Sequence, residues 1–95
     1  MLIQTPYKSG DTVTLKLTSG EEIVARLEKE EGGNLELHKP RMIAATQQGL
    51  GLAPFTFTAD EDAKITINDS KVVCVVKTAD EFAKQYTSST SGIAL

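Results

Sequence analysis

Residues 13–37 read VTLKLTSGEEIVARLEKEEGGNLEL, three runs of alternating apolar and polar residues joined by two glycine-bearing turns. A period of two puts successive side chains on opposite faces of a strand. Val13, Leu15 and Leu17 therefore share one face of the first run, and Ile23, Ala25 and Leu27 share one face of the second. The segment predicts a meander with one buried side. Ser19-Gly20 and Gly32-Gly33-Asn34 stand where the chain must reverse, and these residue types tolerate the positive φ of tight hairpin turns. Ile65 to Val76, ITINDSKVVCVV, repeats the pattern as two apolar runs around Asn68-Asp69-Ser70-Lys71.

The intervening chain completes the plan. His38-Lys39-Pro40-Arg41 interrupts the third run, and Pro40, which cannot donate to a ladder, marks an edge, a bulge or a bend. Met42-Ile43-Ala44-Ala45 resumes it. Gln47 to Pro54, with two glycines and a proline, reads as the mobile tip of a long hairpin over residues 42–58. Phe55 and Phe57, alternating with Thr56 and Thr58, read as the returning strand, interrupted by the solvated turn Asp60-Glu61-Asp62 and completed by Ile65-Thr66-Ile67. The expectation is a mainly β fold: a small, strongly bent, five-stranded antiparallel barrel over about residues 11–77, with the long hairpin between strands three and four. Residues 1–10 form a lead-in closed by the turn Ser9-Gly10-Asp11. Thr78-Ala79-Asp80-Glu81 fits a capping box, predicting a short helix over about 79–86 whose face Phe82, Ala83 and Tyr86 docks on the barrel. Residues 87–95 read as a flexible polar tail, closed by the apolar Ile93-Ala94-Leu95.

A chain of 95 residues makes one domain, 1–95, with a limited core. Cys74 is the only cysteine, so no internal disulfide reinforces that core, and its place in an apolar run predicts a buried small hydrophobe. Oligomerisation becomes the default route to added stability. The formal charge of −3 argues against nucleic-acid binding over a broad face, which needs many Lys and Arg to displace counterions, and leaves only a local site. No apolar run approaches the roughly 20 residues of a membrane span, and MLIQTPYKSG lacks the basic start and apolar centre of a signal peptide. The expected location is the cytoplasm, with no membrane partner.

Catalysis needs a convergent nucleophile, base and orienting group, and the sequence announces none. His38, the only histidine, lies far along the chain from Cys74 and reads as a solvated strand-end residue. One His and one Cys cannot complete a four-ligand zinc site. The acidic triplet lacks the ligand spacing and central glycine of a calcium loop, and Gly49 and Gly51 lead into Leu52-Ala53-Pro54 without a phosphate-binding lysine or helix start. The reading is a non-enzyme with no cofactor and no metal.

Over about residues 11–77 the chain resembles the Sm and Sm-like family. Gly20, Leu27, Glu30 or Glu31, Asn34, Leu35 and Leu37 follow the order of the family's first motif, with the Leu27-to-Asn34 spacing one residue shorter than its commonest form. Ile67-Asn68-Asp69, Ser70-Lys71 and Val72 to Val76 occupy the second, where Asn68-Asp69 replaces the family's Arg-Gly. Gly33 stands where the family often places a larger side chain on which a base stacks. The interruption and the carboxy-terminal helix also resemble Sm-like proteins of tailed bacteriophages and their environmental relatives, for which the location would be the host cytoplasm.

The resemblance implies a homo-oligomeric ring of five to seven copies. Strand four of one copy, around Ile65 and Ile67, would pair with strand five of the next, around Val73 and Val75. It implies a short single-stranded RNA as ligand, held around the pore by Asn34, Asn68 and Lys71. The alternative is an assembly module that binds no RNA and meets other proteins through the 42–58 hairpin.

Overall fold

The computed structural model describes residues 7–60 and 62–90; the lead-in before Tyr7, Glu61 of the acidic triplet and the Ile93-Ala94-Leu95 tip lie outside them. Six strands and one helix follow in order: β1 (Thr12–Leu17), β2 (Glu22–Glu31), β3 (Asn34–Thr46), β4 (Gly49–Pro54), β5 (Lys64–Asn68), β6 (Val72–Lys77) and α1 (Asp80–Thr90). All pairs are antiparallel. The sheet runs β4-β3-β2-β1-β6, and β5 pairs with the first half of β3 while β4 pairs with its second half.

Alternation builds the core as the period of two predicts. Val13, Leu15 and Leu17 of β1, Ile23, Ala25 and Leu27 of β2, and Leu35 and Leu37 of β3 form one buried cluster, with Tyr7, Phe55, Ile67, Val72 and Val75 packed against it. Burying each Leu or Ile side chain is worth about 1.5–3 kcal/mol, so these three strands carry most of the fold. The β2–β3 turn has two residues, Gly32 and Gly33, both at positive φ (59° and 80°), as a type I′ hairpin requires. Asn34 is not the left-handed residue of this turn; it takes the first ladder position of β3, opposite Glu31.

Besides an extra residue in β2, Glu28, between the pairs Leu27↔Leu37 and Lys29↔Glu36, two irregularities bend the sheet. Between the pairs Val24↔Arg41 and Arg26↔His38, the single residue Ala25 faces both Lys39 and Pro40. Lys39 takes φ 52° there, so Pro40 sits in a bulge, where its missing N–H costs no ladder bond. A second bulge places Val73 between the pairs Leu17↔Val72 and Lys16↔Cys74.

Five expectations are corrected. Strand four is in two pieces, because the chain leaves the ladder after Pro54 and rejoins it at Lys64; Phe55 and Phe57 lie in this irregular link, not in a returning strand. The tip of the long hairpin is Gln47-Gln48, and Gly49–Pro54 is strand, since the register Thr46↔Gly49 to Arg41↔Pro54 is unbroken. Cys74 is exposed, because it pairs with the outward-facing Lys16. The helix runs on through Thr87–Thr90 of the expected tail. Its last turn is held by Ser89 and Thr90 hydroxyls donating to the Tyr86 carbonyl (3.0 and 2.8 Å) and by Lys39 Nζ donating to the Thr90 carbonyl (2.6 Å). The helix also starts one residue later than a capping box requires: the first bond, Ala83 N–H to the Ala79 carbonyl, makes Ala79 the cap. Thr78 instead continues the β1 ladder through its N–H to the Thr12 carbonyl (3.1 Å) and pairs its buried hydroxyl with that of Thr14 (2.9 Å).

Candidate functional site

The two loops that carry Asn34, Asn68 and Lys71 lie side by side. Asn34 and Asn68 are direct cross-strand partners in the β3–β5 ladder, and the Asp69 N–H donates to the Gly33 carbonyl at 2.8 Å, locking one loop to the other. The Asn68 side-chain oxygen accepts from the Ser70 N–H (2.9 Å) and caps a single 3-10 turn, Asp69–Lys71. The Lys71 carbonyl accepts from the Thr18 N–H (2.9 Å), which ties this turn to the end of β1. All three candidate side chains are exposed. Residues more than thirty apart in sequence thus meet at one edge of the fold.

The surroundings of this cluster are acidic. A shallow depression of about 430 Å³ beside Asn34 is lined by Lys29, Glu31, Gly32, Glu36 and Thr66, and Lys29 is partly neutralised by Glu31 at 3.7 Å. Asp69 closes over Gly33, where a Cβ would lie 3.7 Å from its carboxylate. Glu30 accepts a 3.4 Å bond from the Tyr7 hydroxyl; partial burial, then the Glu30 charge and that bond, push the Tyr7 phenol above its ordinary range.

The four residues expected to pair between copies, Ile65, Ile67, Val73 and Val75, fall on the two open edges. Among the described residues β5 is paired only on its β3 side and β6 only on its β1 side, and the two strands do not pair with each other. Ile65 and Ile67 are half-buried and alternate with exposed Lys64 and Thr66. On β6 the bulge turns Val75 toward the core and leaves Val73 64% exposed.

A third constellation was not legible in the sequence. At the Lys39–Pro40 bulge the ladder leaves the Arg26 N–H and the His38 and Lys39 carbonyls unmatched. The Tyr86 hydroxyl accepts from Arg26 N (3.2 Å) and donates to both carbonyls (2.9 Å each). Tyr86 is only 4% exposed, and burial pushes its phenol above the ordinary value despite the Arg26 N–H bond and nearby arginines. His38 belongs to this region and is not a solvated strand end: its Nδ1 lies 3.4 Å from Arg26 and 3.5 Å from Glu28. In the order of the sheet, β2 and β1 lie between the strands of His38 and Cys74. Among the described residues no cluster of three or more His, Cys, Asp or Glu is arranged to hold a metal, and no helix is long and apolar enough to cross a membrane.

A bent antiparallel sheet with two open edges and two apposed loops invites comparison with known folds. No family model and no curated protein matches this sequence. Among solved structures, a heptameric archaeal Sm protein superposes with a TM-score of 0.51 at 15% identity, covering 75% of this chain and 90% of that one.

The fold is Sm-like.

Within the Sm-like fold, β4 and β5 together stand as one broken fourth strand and β6 as the fifth, so the count of five strands and the division into six describe the same sheet. The coverage of the archaeal protein, nearly its whole length, means that what this chain adds to the Sm-like fold is a matter of the remaining quarter of its residues.

Proposed function

We propose that this protein works as a homo-oligomeric ring. The observation that carries the reading is the pair of open edges: among the described residues β5 and β6 each lack a partner on one side, at opposite ends of one bent sheet. Antiparallel pairing of β5 of one copy with β6 of the next satisfies both, and a head-to-tail contact of this kind repeats until it closes. The Sm-like fold and the heptameric assembly of the archaeal protein support the same arrangement, and we propose five to seven copies. Ile65, Ile67, Val73 and Val75 then line the contact.

In such a ring the Asn34, Asn68 and Lys71 loops of all copies face a common centre, and we propose that they hold a short single-stranded RNA. The cross-strand pairing of Asn34 with Asn68 favours this, because it presents two amide groups and a lysine together. A second reading, an assembly module without RNA, is favoured by the acidic Glu30, Glu31, Glu36 and Asp69 around the same loops and by the lack of an aromatic within either loop, Gly32-Gly33 or Asn68 to Lys71; stacking would otherwise supply about 1–3 kcal/mol per base. Mass by light scattering, with and without short RNAs at low and moderate salt, decides between them. A five- to seven-fold mass with RNA uptake that Asn34→Ala and Lys71→Ala weaken supports the first. A ring without uptake supports the second, and a protomer mass refutes both.

A further inference from the structure

Phe57 is the most exposed large apolar side chain among the described residues, at 78%, and it lies in the link between β4 and β5, sharing a depression with Pro40, Pro54 and Ile65 of β5. Residues 42–58 around it contain no charged side chain at all. Surfaces of this kind mark contact sites, and the direction of the chain identifies what comes to meet this one. If β5 pairs antiparallel with a neighbour's β6, Lys77 of that neighbour comes alongside Lys64, and its residues from Thr78 onward run beside the link that precedes β5. The start of the neighbour's α1 is therefore the element that faces Phe57.

We propose that Phe57 of each copy seats on the α1 helix of the next, in the shallow depression formed by Asp80, Ala83, Lys84, Thr87 and Ser88. That depression measures about 410 Å³, whereas a cavity of about 150 Å³ suffices for a benzene ring. Its lining residues recur at the i, i+3, i+4, i+7 and i+8 positions of one helix face, and Ala83, the Lys84 stem and Thr87 offer apolar surface with a cation among them, suited to a ring face. The need for such a contact follows from size. A stable protein interface engages about 20–30 residues a side, and the two strand edges offer five and six residues. Burying a phenylalanine adds 150–250 Å² or so at the end of the ladder, where the strands alone stop. The inference rests on the ring reading above and assigns the hairpin link and the helix a role in it.

The test uses the full chain with Cys74→Ser as background. Phe57→Cys protein is mixed with Ala83→Cys protein and treated with a short bis-maleimide, and masses of the untreated samples are measured in parallel. A covalent dimer in the mixture, absent from either protein alone, is the expected result, and the doubly substituted chain is expected to give a ladder ending at the ring number. A ring mass without the cross-link overturns the Phe57 seat and leaves the ring standing; a protomer mass overturns both. Phe57→Glu is expected to raise the concentration at which the ring dissociates at least tenfold, and an unchanged dissociation profile overturns the proposal. Cosedimentation of the dissociated protein with anionic vesicles, lost in Phe57→Glu, assigns the residue to a membrane surface and equally overturns it.

Discussion

Replacing Tyr86 with phenylalanine isolates the chemistry of the bulge, because it keeps the buried ring and removes one oxygen. That oxygen accepts from the Arg26 N–H and shares its proton between the His38 and Lys39 carbonyls. One accepted and one shared donated bond are lost, each worth about 0.5–1.5 kcal/mol net, and the amide left without a partner costs toward the upper end of that range or beyond. The expected loss is about 2 kcal/mol, which for a domain of this size lowers the midpoint of thermal unfolding by roughly 8–16 °C. The assay is urea unfolding followed by circular dichroism, with both proteins at equal protomer concentration, because ring formation adds a mass-action contribution to apparent stability. Tyr86→Ala, which also empties the ring's site, is expected to cost about 3–5 kcal/mol. A Tyr86→Phe protein within about 0.5 kcal/mol of the parent, the range of an indifferent surface change, would show that water satisfies the bulge and that the helix is merely laid over it.

Three further outcomes follow from the same structure. Burial raises the Tyr86 phenol in the folded state, so the unfolded chain, near pKa 10, releases its proton first; stability is full below about pH 10 and falls as pH rises through the higher folded value. The Tyr86→Phe protein is expected to lose part of that alkaline decline in urea titrations between pH 9 and 11 or so, while Tyr7, also raised, retains the rest. Leu37→Ala, at a fully buried site in the central strand, is expected to cost about 2–5 kcal/mol by the same unfolding measurement. Gly33→Ala should cost about 1–2 kcal/mol, since φ is +80° while the new Cβ would meet the Asp69 carboxylate at an ordinary 3.7 Å; a neutral effect would mean the turn relaxes out of its type I′ form.

Much of the fold was legible because it depends on local periodicity. Val13 to Leu37 declares its buried face residue by residue, and every apolar position assigned to that face on β1 and β2 is in the core. Gly32 and Gly33 declare their turn, and Pro40 declares a departure from regular strand. The loops holding Asn34 and Asn68 could be named from motif order, and their juxtaposition then followed from strand pairing.

The sequence by itself determined β1, β2, β3, β5 and β6, the two tight turns and the apolar face of the meander, since each follows from side-chain period and from backbone freedom at single residues; β4 it read as a loop. Tertiary structure alone decided the rest. Which residue a bulge displaces depends on a partner strand far along the chain, so the exposure of Val73 and Cys74 was hidden in a run that reads as uniformly apolar. The helix extends through Thr87–Thr90 although those residues favour turns, because Lys39, about fifty positions away, caps its final carbonyl. Tyr86 reads as a docking residue in a short amphipathic helix; only the bent sheet, by leaving one amide and two carbonyls unmatched at Lys39–Pro40, gives its hydroxyl something to hold.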